Sequence, residues 1–197
     1  MAAYLVLLLA VLSRILPHAF GAVNWNFTAV GGGLLFFGSQ MKASSAGNES
    51  RAAWWNAAKI ASAVVALMAT DYYLTVFAYG YPFHVQGYLV TWAWYAAVCV
   101  LGMGILRKTS VLRVIAGVLA SATSFYIVVD FAVWAGGRMY PHTLAGLEAC
   151  YVAAIPFYRN DLVSTGLTAG ALFGLPVLAA KIVEMLHAAQ NDDLPMA

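Results

Sequence analysis

At 197 residues the chain is sized for one compact bundle with short loops. Hydrophobic residues make up 63% and charged residues 9%, with mean hydropathy +0.80; soluble domains carry about 45–50% and about 25%, so the composition is that of an integral membrane protein. The net charge of +2, with no basic stripe or aromatic–basic interleaving, excludes nucleic acid as a partner.

The chain opens on an apolar run from Tyr4 to Leu12 that gives way to Ser13-Arg14-Ile15-Leu16-Pro17-His18. A secretory signal has its positive charge before the apolar core, whereas Arg14 follows it, so residues 3–20 are read as a retained helix. A helical span needs about 20 apolar residues. A shorter second segment over residues 27–41 begins with Gly31-Gly32-Gly33, which suits close helix packing or a break. No Lys-Ser/Thr follows those glycines at phosphate-loop spacing. The polar stretch 42–51 is a loop, and the third span builds from Trp54 to about Tyr79. After a turn at Tyr81-Pro82-Phe83-His84, the fourth span covers residues 88–106 and stops at Arg107-Lys108-Thr109-Ser110. The fifth covers 111–135 and stops at Gly136-Gly137-Arg138. Residues 144–157 are too few to cross and read as an interfacial or re-entrant helix, closed by Tyr158-Arg159-Asn160-Asp161. The sixth span runs from 162 to 185, kinked or broken by Gly174 and Pro176.

The fold class expected is therefore all-α: a polytopic membrane bundle of six transmembrane helices with one short interfacial or re-entrant helix. Residues 1–187 form a single transmembrane domain, and 188–197 a flexible cytoplasmic tail. With the N-terminus inside, Lys42, Arg51, Lys59, Arg107, Lys108, Arg113 and Lys181 fall at the cytoplasmic side, and only Arg14, Arg138 and Arg159 lie outward. A re-entrant second segment would spoil that bias, so the positive-inside rule favours six spans with both termini cytoplasmic. Trp54 and Trp55 mark an inner aromatic belt; Trp25, Trp92, Trp94 and Trp134 mark an outer one.

On this map Arg14, Asp71 and Asp130 all sit in the outer halves of their helices. Each ionic side chain near a helix centre costs about 2.5–3.5 kcal/mol to insert, so they are expected to face the bundle interior, paired or hydrated. One reading is a register-fixing ion pair between Arg14 and Asp71 or Asp130. The other is a ligand pocket, because His18, Asn24, Asn26, His84, Arg138, His142, Glu148, Arg159, Asn160 and Asp161 crowd the same side. Tyr72, Tyr73, Tyr79, Tyr81, Trp92 and Trp94 could wall a planar ligand or simply face headgroups. His18 and His84 are the candidate metal or cofactor ligands, although a lone interfacial histidine is more often just hydrogen-bonded. Cys99 and Cys150 lack any metal spacing and read as buried small hydrophobes. Asn26-Phe27-Thr28 and Asn48-Glu49-Ser50 match a glycosylation pattern common by chance. No nucleophile motif is present, so the sequence points away from an enzyme.

Ser13-Arg14-Ile15-Leu16-Pro17-His18, Asn26-Phe27-Thr28-Ala29-Val30-Gly31 and the stretch from Cys150 to Asn160 (CYVAAIPFYRN) resemble a family of small bacterial membrane proteins of unknown function. That family is similar to the six-helix substrate-binding (S) components of energy-coupling-factor vitamin transporters, particularly the solitary cobalamin binders. The resemblance implies an outward-facing vitamin pocket and a separate ATPase module that supplies energy. The chain departs from that pattern in two places. The segment 78–87 has no cysteine to reach cobalt, leaving His84 as its soft ligand, and the first helix lacks an Ala-x-x-x-Ala docking pattern.

The ligand-binding candidates are thus Arg14, His18, Asn26, Asp71, His84, Trp94, Asp130, Arg159 and Asn160, with no catalytic or metal-binding residue and no cofactor assigned. The expected partners are the lipid bilayer of a bacterial inner membrane, a small-molecule solute and an energising module or other membrane subunits. An accessory subunit of a larger complex is the alternative, docking through Gly166, Ala169, Gly170 and Gly174.

Overall fold

Among the described residues there are six α-helices: α1 (Ala2–Ala19), α2 (Val30–Ser39), α3 (Glu49–Tyr73), α4 (Leu89–Ile105), α5 (Val111–Gly136) and α6 (Leu144–Asp192). The computed structural model describes residues 1–19, 27–41 and 49–192, and no strand occurs among them.

The short α2 is the centre of the bundle and packs against α1, α4, α5 and α6. It carries no charged residue, and eight of its ten residues are buried. Its glycines explain how one helix can touch so many neighbours. A Cβ on Gly31 would collide with Thr165 of α6, and one on Gly32 with Thr168. On Gly33 a Cβ would lie 3.2 Å from the Ala10 methyl of α1. Gly38 rests on the Cys99 carbonyl of α4 while Gly102 of α4 rests on the Leu35 carbonyl, so these two backbones meet reciprocally. Around these contacts Leu34, Leu35, Phe37, Leu67, Val98 and Cys99 are fully buried. The Gly31-Gly32-Gly33 run is a packing device and introduces no break in the helix.

The ends of α1, α4 and α5 fall close to the expected boundaries. Ser110 caps α5 by accepting from the Arg113 amide (3.4 Å), which is why the chain can turn sharply after α4. The last turn of α3 continues as a π-helical segment, Leu74–Ala78, and Gly80 (φ +70°) then reverses the chain in the left-handed region open to glycine.

α6 differs from the sequence-based expectation. Residues 144–157 do not form a separate interfacial or re-entrant helix, and Tyr158-Arg159-Asn160-Asp161 is not a break. One helix runs from Leu144 to Asp192 through Pro156, Gly174 and Pro176. Successive helical residues point about 100° apart, so a polar run need not end a helix. Tyr158 and Asp161, three residues apart, turn inward, whereas Arg159 and Asn160 are exposed. The helix also passes the expected domain boundary at residue 187, and 193–197 lie outside the described residues. α5 and α6 run antiparallel: Tyr151 donates its hydroxyl to the Ile127 carbonyl (2.7 Å), and Thr123 and Tyr158 share a hydroxyl hydrogen bond (3.1 Å).

Three helical stretches are long and apolar enough to cross a membrane: Glu49–Ala78, Val111–Gly136 and Leu144–His187. Ala2–His18 and Leu89–Ile105 are apolar but shorter. The ten residues of α2 rise only about 15 Å, half of a hydrocarbon core about 30 Å thick. Helix length by itself therefore accounts for three spans rather than six. The outward surface is rich in exposed leucine, isoleucine and valine, among them Leu5, Leu8, Leu9, Leu112, Ile115 and Val163, as a lipid-facing wall requires.

Candidate functional site

Arg14 lies one turn before the end of α1, and Asp71 lies at the same level on α3. The guanidinium donates from Nη2 to Asp71 Oδ1 (2.5 Å) and from Nη1 to Thr70 Oγ1 (2.6 Å). Thr70 donates its own hydroxyl to the Leu67 carbonyl (2.7 Å), and Trp92 Nε1 of α4 donates to Asp71 Oδ2 (2.9 Å). Asp71 is 3% exposed, so both its oxygens are satisfied by protein. The register-fixing reading of Arg14 and Asp71 holds in this respect: the pair is made with Asp71, not Asp130, and it ties α1, α3 and α4 together. Ser13 adds a local tie, donating to the Ala10 carbonyl (2.8 Å) while accepting the Ala29 amide (2.9 Å) at the entry to α2.

Two cavities flank this knot. The larger, about 700 Å³, is lined by Asp71, His18, His84, Tyr79 and Tyr88. Phe83 stacks on Tyr88 (centroids 4.9 Å, 12°) and Thr75 shares a 2.6 Å hydroxyl bond with Tyr88, which fixes its aromatic wall. His18 meets the Tyr79 ring edge-on at 5.3 Å, and its buried Nδ1 has no hydrogen-bond partner among the described residues. The smaller cavity, about 320 Å³, lies between α4, α5 and α6 and is lined by Trp94, Tyr126, Asp130, Phe157, Tyr158 and Asp161. Arg14, Thr28, Tyr95 and Phe125 line both, and so form the partition between them.

The expected site residues divide accordingly. Arg14 faces both cavities, Asp71, His18 and His84 the larger one, and Trp94 and Asp130 the smaller. Arg159 and Asn160 are exposed and line neither. Asn26 lies outside the described residues. Trp92 and Trp94 turn into the bundle rather than to an outer belt, because each indole N–H has an interior acceptor: Asp71 for Trp92 and Ser124 (3.0 Å) for Trp94. Tyr72 and Tyr73 are exposed, while Tyr79 and Tyr81 border the larger cavity.

Sequence reasoning did not select Tyr95, Phe125, Tyr126 or Tyr158, and it counted Asp161 among the outward polar groups without making it a ligand candidate. The signal that finds Asp161 is helical phase: once 144–192 is one helix, Asp161 follows Tyr158 on the buried face and precedes Thr165, which donates to it (3.3 Å). Both cysteines are buried and unpaired. Among the described residues no three His, Cys, Asp or Glu side chains gather as a metal site would require.

A helical bundle of membrane-type composition, with a partitioned polar and aromatic chamber around one buried ion pair, defines the class of protein. A family model described as a family of unknown function, DUF6580, matches residues 1–186, and the chain belongs to that family. Neither the curated proteins nor the solved structures contain a match to it.

Proposed function

We propose that the protein is a multi-pass protein of the bacterial cytoplasmic membrane that binds a small, vitamin-sized solute in the chamber around Arg14, as S components of energy-coupling-factor transporters do. The observation that carries this reading is the smaller cavity, where Asp130 and Asp161 face aromatic rings from three helices. Ionisable groups inside a membrane bundle are expensive and mark solute or ion paths. A volume of about 320 Å³ with apolar walls and few polar groups falls at the small end of ligand pockets. The larger cavity, opening among Tyr79, Tyr81 and His84, serves as the approach from outside. In this role the chain binds its solute without transforming it, both termini are cytoplasmic, and a separate ATPase module provides the energy for release inward.

Purification from native membranes followed by mass spectrometry of the denatured sample tests the reading. A stoichiometric small molecule is expected, and it is lost from a folded Asp130→Ala protein. Retention of the same molecule by that variant would remove the chamber from consideration. The second reading, an accessory subunit of a larger membrane complex, draws on the run of exposed residues 174–187 in α6 and on Gly170 and Gly174, which have open space where a Cβ would sit. A fixed partner set without any solute in native mass analysis would favour it.

A further inference from the structure

We infer that the solute taken by the smaller cavity is an organic cation, a protonated or quaternary amine carrying an apolar or aromatic body. This rests on the solute-binding reading above and narrows it to one chemical class.

Four of the polar side chains at the cavity wall, Tyr126, Tyr158, Trp94 and Arg14, are already engaged. Tyr126 donates its hydroxyl to the Tyr151 carbonyl (2.9 Å), Tyr158 shares its hydroxyl with Thr123 (3.1 Å), and the Trp94 N–H is held by Ser124 (3.0 Å). These three side chains therefore offer the cavity their rings, with their donors already engaged. Arg14 reaches the cavity, but both of its terminal nitrogens are bonded, to Thr70 and Asp71, and Asp71 cancels its charge. An anionic solute would have to compete with that pair. The carboxyl groups of Asp130 and Asp161 remain, beside the hydroxyls of Thr28 and Tyr95. Asp161 Oδ1 accepts one weak bond from Thr165, and its Oδ2 is buried without a partner. Asp130 has no side-chain hydrogen bond or ion pair among the described residues; only its backbone carbonyl is engaged, by Cys150 Sγ (3.5 Å). The cavity thus presents two carboxyl groups without a cationic partner among the described residues, and π faces. A buried charge is stable when it is paired and hydrogen-bonded, and a cation over aromatic rings gains a further electrostatic attraction. A cationic head satisfies both requirements and pairs the two carboxyls, whereas a neutral or anionic one gives them no charge partner.

Full-length protein in detergent micelles is titrated with benzyltrimethylammonium, benzyl alcohol and phenylacetate, and binding is read by calorimetry and by tryptophan quenching. The cation is expected to bind saturably, and phenylacetate not to bind. Asp161→Asn and Asp130→Asn should each weaken cation binding about tenfold or more, as removal of one partner from a desolvated charge pair does. Tyr126→Leu keeps both carboxylates and should weaken it about threefold, so a variant that does not fold leaves the others decisive. Preference for phenylacetate, or cation binding indifferent to both Asn substitutions, overturns the inference. If phenylacetate or benzyl alcohol binds and Tyr126→Leu abolishes that binding, the solute pocket stands and only the cationic class falls. If no probe binds and the purified protein carries no small molecule, both fall.

Discussion

Arg14 is the residue whose environment is most fully built, with Thr70, Asp71 and Trp92 forming one hydrogen-bonded unit across three helices. Breaking such a pair by removing one member strands the other charge, typically at about 3–5 kcal/mol, while replacing both with apolar groups is far less damaging. Asp71→Ala is therefore expected to lower unfolding stability by that amount, and Arg14→Met combined with Asp71→Leu to recover most of it. Denaturant titration in detergent checks this, and a loss below about 1 kcal/mol in the single variant would place the pair among solvated contacts of little worth. Arg14 and Asp71 were legible in the sequence because an ionic residue inside an apolar run must find a partner. The inward position of Asp161, which the sequence placed only in an outer connection, was hidden for the opposite reason. Asp161 sits among Tyr158, Arg159 and Asn160, where four polar residues in a row look like a loop, and only the helical phase separates its buried position from its exposed neighbours.

Among the elements, α2 depends on contacts that only glycine permits. Gly38→Ala and Gly102→Ala each place a methyl against a backbone carbonyl of the facing helix, an overpacking expected to destabilise by about 1–3 kcal/mol. Gly170 in α6 has nothing within 4 Å of a built Cβ, so Gly170→Ala is expected to be neutral or to stabilise by about 0.5–1 kcal/mol through helix propensity. Thermal unfolding of the three variants side by side distinguishes the two kinds of glycine, and equal losses would contradict the reciprocal contact between α2 and α4. The sequence showed α4 and α5 clearly, since their apolar runs end at a basic turn with a serine cap and at a glycine pair. It showed α2 and α6 less well. α2 is buried on nearly all sides, so its central place, unlike its shortness, cannot be read from an apolar pattern that lipid-facing helices share. α6 contains two prolines and a polar run, and local rules read each as a boundary. Its packing on α5, through Tyr151, Tyr158 and the Tyr126–Tyr158 ring pair at 4.9 Å, holds it continuous.

At the scale of the molecule the polar chamber occupies the Arg14 end of the bundle, and the unpacked part of α6 extends from the other. Residues 174–187 are exposed throughout. Their exposed apolar side chains include Leu175, Val177, Leu178, Ile182, Val183, Met185 and Leu186, spread around the helix with Lys181 and Glu184 among them. A chain ended after Val177 is expected to keep the bundle's unfolding free energy within about 0.5 kcal/mol of the full chain, since residues 178–187 are all exposed. A larger drop would mean that this segment folds back on the bundle. The orientation proposed from Lys59, Arg107, Lys108 and Arg113 is checked by reporter fusions, which should be cytoplasmic both at the 107–110 turn and at the C-terminus.

The central claim is that the space bounded by Tyr126, Tyr158, Asp130 and Asp161 holds a small molecule. An experimental density map of the protein purified from its own membranes tests it most directly. Compact density is expected there, one end within hydrogen-bonding distance of Asp161 and the remainder against the Tyr126 and Phe157 rings. A lipid acyl chain threaded through that space, or side chains collapsed to close it, would contradict the account.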